Sequence, residues 1–280
     1  MENTNVTVIK ATGEPEPYSE TKVRSSIKRA GLPDELSNQV IAHIESILYE
    51  NIPTKEIYKH IIEFLNKSTI PAASAKYSLK HAVMQLGPSG YPFEKFISFV
   101  LDKQGYSTKT NQILQGKCVQ HEVDVIASKN GENFMIEAKF HNKPGARSDL
   151  KVTLYTYARY SDLIHNSANS NLFNKAWLIT NTKVTSEAKD YANCIGMKII
   201  SWSYPEKENL RELIEKSNLH PITALYSLSA MQKQHLIKND LVLCNHIVGK
   251  NIEQLMELGL NKEIANNALK EAQDVCSYSK

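Results

Sequence analysis

Two carboxylates and a lysine, Asp124, Glu137 and Lys139, stand on either side of one short turn. Residues 121–127 alternate polar and apolar types, residues 134–140 do so in part, and Lys129-Asn130-Gly131-Glu132 joins them. Asn-Gly between alternating segments is the strongest local signal for a two-residue β-hairpin. Counting back from that turn sets Lys129 against Glu132, Asp124 against Glu137, and Glu122 against Lys139. Directly opposed side chains share a face with Cβ atoms about 5 Å apart. Two negative charges held so close repel, and a divalent cation with oxygen ligands is their natural companion. Lys139, two residues beyond Glu137, shares the face, while Val123, Val125 and Ala127 against Phe134, Ile136 and Ala138 form an apolar opposite face. A β-bulge would shift this count. The alternative is a solvated hairpin in which Glu122 and Lys139 form a surface ion pair of little energetic weight.

The elements that must position these groups can be read from periodicity. Residues 91–218 alternate helix and strand: a helix over 93–104 stopped by Gly105, strands near 106–114, the hairpin, a long helix over 149–166, a strand over 176–180, a helix over 185–194 and a strand over 197–202. Such alternation predicts an α/β sheet with helices on its faces. Ahead of it, residues 6–10 form a strand candidate, Gly13-Glu14-Pro15-Glu16-Pro17 a turn, and four amphipathic helices follow over 21–30, 38–50, from Thr54, and 72–86. Gly87-Pro88-Ser89-Gly90 is the clearest linker signal. From Leu219 onward the pattern is helical. The expected domains are therefore 1–87, 88–218 and 219–280.

Composition narrows the class. The 280 residues are 41% hydrophobic with a net charge of +3, and the mean hydropathy is −0.38. This balance permits nucleic-acid binding without arguing for it; a local basic patch matters more. Cys118, Cys194, Cys244 and Cys276 are scattered, with no CxxC, which argues against a disulfide framework or a cysteine zinc site. With no signal pattern and no apolar run of spanning length, the expected location is the cytoplasm, away from membranes.

Asp124 followed by Glu137-Ala138-Lys139 matches the pattern of the PD-(D/E)xK nuclease superfamily. Residues 91–218 resemble Mrr-like restriction endonuclease domains, including Phe93-Glu94 on the helix before the hairpin and a terminal strand, helix and strand over 176–202. Val123 stands where the family often has proline. The resemblance implies a restriction-endonuclease-like mixed sheet flanked by helices, and metal-dependent hydrolysis of DNA. Asp124, Glu137 and the Ala138 carbonyl would hold Mg²⁺ or Mn²⁺, with Glu94 completing the shell directly or through water. A cation held there acts as Lewis acid and template. Lys139 would orient the attacking water and offset transition-state charge; an ordinary lysine, titrating near ~10.4, is a poor base. His121 and His141 flank the hairpin as candidate metal or phosphate neighbours, or merely as polar strand ends. Lys143, Arg147 and Lys151, in and after a flexible basic loop, are candidate phosphate contacts or a solvated loop. A nuclease fold that has lost activity but still binds DNA is the other reading, and an RNA- or junction-directed nuclease a third.

Residues 6–87 resemble the ATP-cone, a small regulatory nucleotide-binding domain. The matches are Val8-Ile9-Lys10-Ala11-Thr12-Gly13 and Pro17-Tyr18-Ser19-Glu20-Thr21-Lys22. The resemblance implies a helical domain with a short N-terminal hairpin that binds ATP or dATP as a regulatory ligand. Lys10 and Lys22 would meet phosphates, Gly13 and Glu16 would line the nucleotide loop, and Thr54 would lie near base or ribose. Ala11 replaces the usual arginine, removing one phosphate contact. A helical DNA-binding or dimerisation module is the alternative. Residues 219–280 resemble the helical tails of some Mrr-like proteins; Val248-Gly249-Lys250 and Leu258-Gly259-Leu260 hint at helix-hairpin-helix phosphate binding or simply at glycine helix ends. Together these features predict an adenine-nucleotide-regulated DNA endonuclease working as a homodimer, since two symmetric sites serve two strands.

Overall fold

A computed structural model describes residues 6–10, 12–70, 72–169 and 172–277. Two compact units divide the chain, residues 1–79 and 80–280.

In the first unit, β1 (Thr7–Ile9) pairs antiparallel with β2 (Pro15–Pro17) and parallel with β3 (Ile52–Pro53). The predicted 13–17 turn is therefore a turn only at its start, where Gly13 takes φ +88°. Pro15 and Pro17 sit on an edge strand, where the missing N–H groups cost no ladder bond. Ala11 lies outside the described residues. Three helices follow, α1 (Glu20–Arg29), α2 (Asp34–Ile47) and α3 (Thr54–Asn66). Ser19 caps α1 by accepting from the Lys22 N–H. The second helix begins four residues before the predicted Asn38, because Pro33 ends the preceding turn and Asp34 and Glu35 favour a helix start. Ile27, Val40, Ile44, Ile52, Ile61 and Leu65 fill the core between them.

Beyond α4 (Ala73–Met84), the second unit runs α5 (Tyr91–Lys103), β4 (Ser107–Gln115), β5 (Gln120–Lys129), β6 (Glu132–Lys139), β7 (Arg147–Ser148), α6 (Leu150–Ile164), β8 (Lys175–Thr180), β9 (Lys183–Val184), α7 (Ser186–Cys194) and β10 (Lys198–Ile200). The sheet order is β10-β8-β6-β5-β4. Antiparallel pairing joins β4, β5 and β6, and parallel pairing joins β6, β8 and β10, so the sheet is mixed, as the family resemblance implies. Its apolar face is buried as expected at Val125, Ala127, Phe134, Ile136 and Ala138, whereas Val123, predicted there too, is buried on the opposite side in one cluster with Met135 and Leu163. The other face is not open to water. Met135 is also fully buried, packed with Leu163 of α6 and Phe173. The basic loop after β6 is shorter than predicted, since Arg147 and Ser148 form β7 and pair with Lys183 and Val184.

The chain ends in helices: α8 (Leu210–Ser217), α9 (Ala230–Lys238), α10 (Cys244–Val248), α11 (Ile252–Glu257) and α12 (Lys262–Ser277). Both glycines of the suspected helix-hairpin-helix end helices. Gly259 does so at φ +83°, donating to the Met256 carbonyl, whereas Gly249 keeps φ −76°. This C-terminal segment is tied to α4 by Thr223, whose hydroxyl donates to the Ala82 carbonyl at 2.6 Å, and to α5 by a Lys95–Asp240 ion pair at 2.6 Å. Among the described residues, no helix is long and apolar enough to cross a membrane.

Candidate active site

The Asn130-Gly131 turn forms with both residues at positive φ, +54° and +83°, the backbone a two-residue hairpin requires. The predicted register holds for five pairs, from Lys129–Glu132 to Val125–Ile136. It stops one pair short of Asp124. On the other edge of β5 the ladder skips the same residue: Thr110 pairs with Val125 and Gln112 with Val123, but Asn111 turns to φ +53° and leaves Asp124 unpaired. Asp124 thus lies where β5 lacks a ladder partner on either side. Its carboxylate replaces one by accepting from the Ala138 N–H at 2.8 Å. Beyond that point β6 stays in the sheet through β8, with Lys139 opposite Thr180.

Electrostatics at the site follow from this burial. Glu137 has a side chain only 12% exposed. Desolvation first, and the Asp124 charge second, push its carboxyl up to about 7, against the pull of Arg159 and Lys139. Asp124 is also raised by desolvation, with the Ala138 N–H and Arg159 opposing. Glu94, on α5, is raised by burial as well, partly offset by the Asn111 amide that donates to it at 2.8 Å. Asn111 also reaches Glu122 at 3.4 Å. Its left-handed backbone is one that asparagine tolerates better than most residues, and here it aims the amide between two carboxylates.

Direct closure of the shell by Glu94 is not what the structure shows. Among the described residues, no three His, Cys, Asp or Glu side chains are placed to hold a metal together. Asn111 engages Glu94, and Arg159 of α6 forms an ion pair with Glu137. The sequence reading missed Arg159, although its signal was available: on α6 the buried positions are Thr153, Thr156, Arg159 and Leu163, so an arginine falls in phase on the inward stripe.

The two histidines have structural partners. His121 shares a 2.8 Å hydrogen bond with Asp162 of α6, which also accepts from the N–H groups of Cys118 and Val119. Although desolvation opposes it, these bonds hold the Asp162 carboxyl down at about 2. His141 meets Ser148 at 3.0 Å, and burial, then Lys139, lowers its imidazole. Buried Asn181 clasps the His141 backbone from both sides, accepting from its N–H at 2.9 Å and donating to its carbonyl at 2.8 Å. That clasp fixes the exit of β6 immediately past Lys139. Lys143, Arg147 and Lys151 are exposed around this exit.

A family profile for the restriction endonuclease domain matches residues 87–206. Profiles for the ATP cone domain and for the AF1548-like C-terminal domain match residues 6–81 and 220–276. An uncharacterized protein of Archaeoglobus fulgidus is 43% identical over 176 residues, 63% of this chain and 97% of that protein. The chain belongs to the AF1548-like family. It joins an ATP cone to an Mrr-like restriction endonuclease domain and a helical C-terminal domain. The crystal structure of AF1548, described as a protein of unknown function, aligns with a TM-score of 0.58 at 40% identity, covering 68% of this chain and 99% of that one.

In the cone of this family member, four of the five expected ligand residues come together. The Glu16 carboxylate stands between the ammonium groups of Lys10 at 3.1 Å and Lys22 at 2.9 Å, with Gly13 forming the turn above. Hydrogen bonds from Lys22 and then Lys10 lower the Glu16 carboxyl, and Glu16 raises Lys10. Thr54 opens α3 one residue past Pro53, which pairs with Ile9, so Thr54 and Lys10 leave the same end of adjacent strands.

Proposed function

We propose that this protein is a metal-dependent DNA endonuclease, acting as a homodimer, whose activity is set by adenine nucleotide on the cone. The observation that carries the reading is the pair Asp124 and Glu137: two carboxyls pushed upward by burial on one strand pair, with Lys139 beside them. Such a pair is a fitting donor set for Mg²⁺ or Mn²⁺, because a bound divalent charge offsets both the desolvation and the repulsion. When bound there, the ion supplies Lewis-acid polarisation of a phosphate oxygen and acidifies a water. The remaining work falls to the chain. Asp124 is oriented by the Ala138 N–H, which donates to its carboxylate. Lys139 holds the attacking water and offsets the charge that grows on the phosphate, a role worth about 10²–10³ in rate for a single such donor. Exposed Lys143, Arg147 and Lys151 neutralise the DNA backbone and give binding a salt dependence.

Cleavage of plasmid and oligonucleotide duplexes with Mg²⁺ or Mn²⁺, with and without ATP, tests the reading. Activity should disappear in Asp124→Ala and fall at least about a hundredfold in Lys139→Ala. Parallel assays on RNA and branched DNA decide the substrate class. A second reading, a nucleotide-responsive DNA-binding protein that does not cut, draws on the Arg159 ion pair at Glu137. It prevails if the protein binds DNA yet leaves every substrate intact with either ion. Calorimetric titration with ATP, dATP and ADP tests the cone, and the absence of heat with all three removes the regulatory part.

A further inference from the structure

Arg159 is a buried charged residue of the site that the proposed chemistry leaves without a task. It is 8% exposed, lies on the inward stripe of α6 and is ion-paired with Glu137. Its charge also acts on Asp124. A buried carboxylate pair without a cation needs a counter-charge to remain ionised, and the guanidinium supplies it. The same group is wrongly placed for a metal, since it occupies the oxygen a cation would take and repels a second positive charge.

A second resting place adjoins it. Tyr155, one helical turn earlier, presents its ring to the guanidinium with 5.4 Å between the guanidinium carbon and the ring centroid. The ring is 60% exposed, so it leads from the buried carboxylates toward solvent. A cation–π contact of this kind retains a guanidinium that has left its carboxylate. At the rim, the planar fork is suited to a phosphate diester, which it can bind through two parallel N–H groups.

Resting on the nuclease reading above, we propose that Arg159 is a displaceable counter-ion: it holds Glu137 until a divalent cation arrives, then pivots along Tyr155 to bind the DNA phosphate. Metal and DNA binding are thereby coupled, and the coupling is reciprocal. A permanently structural ion pair predicts the opposite effect on metal affinity, because removing its arginine would disorganise the site.

The test is titration of Mn²⁺ into the full-length protein at pH 8.5, where protons compete little for Glu137, followed by calorimetry. Arg159→Met keeps an unbranched chain and removes the charge. It should lower the Mn²⁺ Kd about tenfold, one decade on the affinity scale. In Ca²⁺, fluorescence anisotropy with a duplex oligonucleotide should show that the same variant loses about tenfold in DNA affinity, as expected for a lost charge-assisted phosphate contact. If Arg159→Met fails to fold, judged by far-ultraviolet dichroism, Arg159→Lys is used; its shorter point charge should still lower the Mn²⁺ Kd. An unchanged or raised Kd in a folded variant overturns the proposal. Glu137→Gln separates the two readings. If Mn²⁺ binding is lost in Glu137→Gln but indifferent to Arg159, the counter-ion idea alone fails. If wild type and Glu137→Gln bind Mn²⁺ alike, the metal site fails and the counter-ion with it. Tighter Mn²⁺ binding in Arg159→Met with no cleavage by wild type supports the counter-ion and removes only the nuclease.

Discussion

Without a divalent ion, the protein should become less stable as pH rises through the acid range, and Glu137 should be the main cause. Its carboxyl is raised from 4.5 to about 7 in the folded chain. Below about 4.5 the group is protonated whether the chain is folded or not, so it contributes no pH dependence. Between about 4.5 and 7 the unfolded chain releases the proton while the folded chain keeps it, and stability falls. Above 7 both forms are ionised and the loss is complete. Each pH unit between those two values costs about 1.4 kcal/mol, so the full loss is about 3 kcal/mol. Asp124 titrates against Glu137, so the figure belongs to the pair. Glu137→Gln removes the acid and the repulsion together, and the variant should lack this slope. Trp177 and Trp202, the two tryptophans of the chain, both lie in the 80–280 unit, so their fluorescence reports on it alone. For a unit of this size, 1 kcal/mol corresponds to about 2–4 °C in Tm. Thermal melts in a chelator should thus find the variant gaining about 6–12 °C on wild type between pH 4.5 and 8. Parallel curves across that range would refute the argument, and a gap unaffected by adding Mn²⁺ to wild type would show that no cation relieves the strain.

Other outcomes follow from single contacts. Gly116→Ala would place a Cβ 2.0 Å from the Asp162 Oδ2 and 2.7 Å from the Val119 carbonyl. Overpacking of that kind costs about 2 kcal/mol, read as a Tm drop of about 4–8 °C in the same tryptophan assay. Lys10→Ala and Lys22→Ala should each weaken ATP binding by about tenfold or more in calorimetry, since each removes a charge-assisted phosphate contact. Asn111→Ala should uncouple Glu94 from Glu122 and slow cleavage more than it lowers DNA affinity, seen as a fall in kcat with little change in KM.

The hairpin was legible because its information is local. Asn130 and Gly131 set the turn, and alternation from Val125 to Ala138 sets the faces. Counting failed from Asp124 back to Glu122, where the ladder to β6 has ended and Val123 packs with Met135 and Leu163, and a two-fold period cannot announce its own interruption. A single asparagine within β4 was the one visible trace of it. The small parallel pair of β7 and β9 escaped because two residues are too few to show any period. Arg159 escaped for another reason: its partner lies on a different element, and periodicity places a residue on a face without naming what that face meets. In the cone, Lys10 and Lys22 were found as cations, but the carboxylate seated between them was not foreseen as their partner.

The helix α6 has one further consequence. Three residues apart, Arg159 reaches β6 and Asp162 grips the turn between β4 and β5. Glu94 arrives from α5, and β6 keeps its place only once β8 has paired beside it. A chain still emerging from the ribosome, complete through the hairpin but not beyond, carries Asp124, Glu137 and Lys139 without the helix that neutralises them or the strand that aligns them. On the proposed nuclease reading, competence to cut is thus deferred until the sheet is nearly whole, a form of quality control written into the order of the elements.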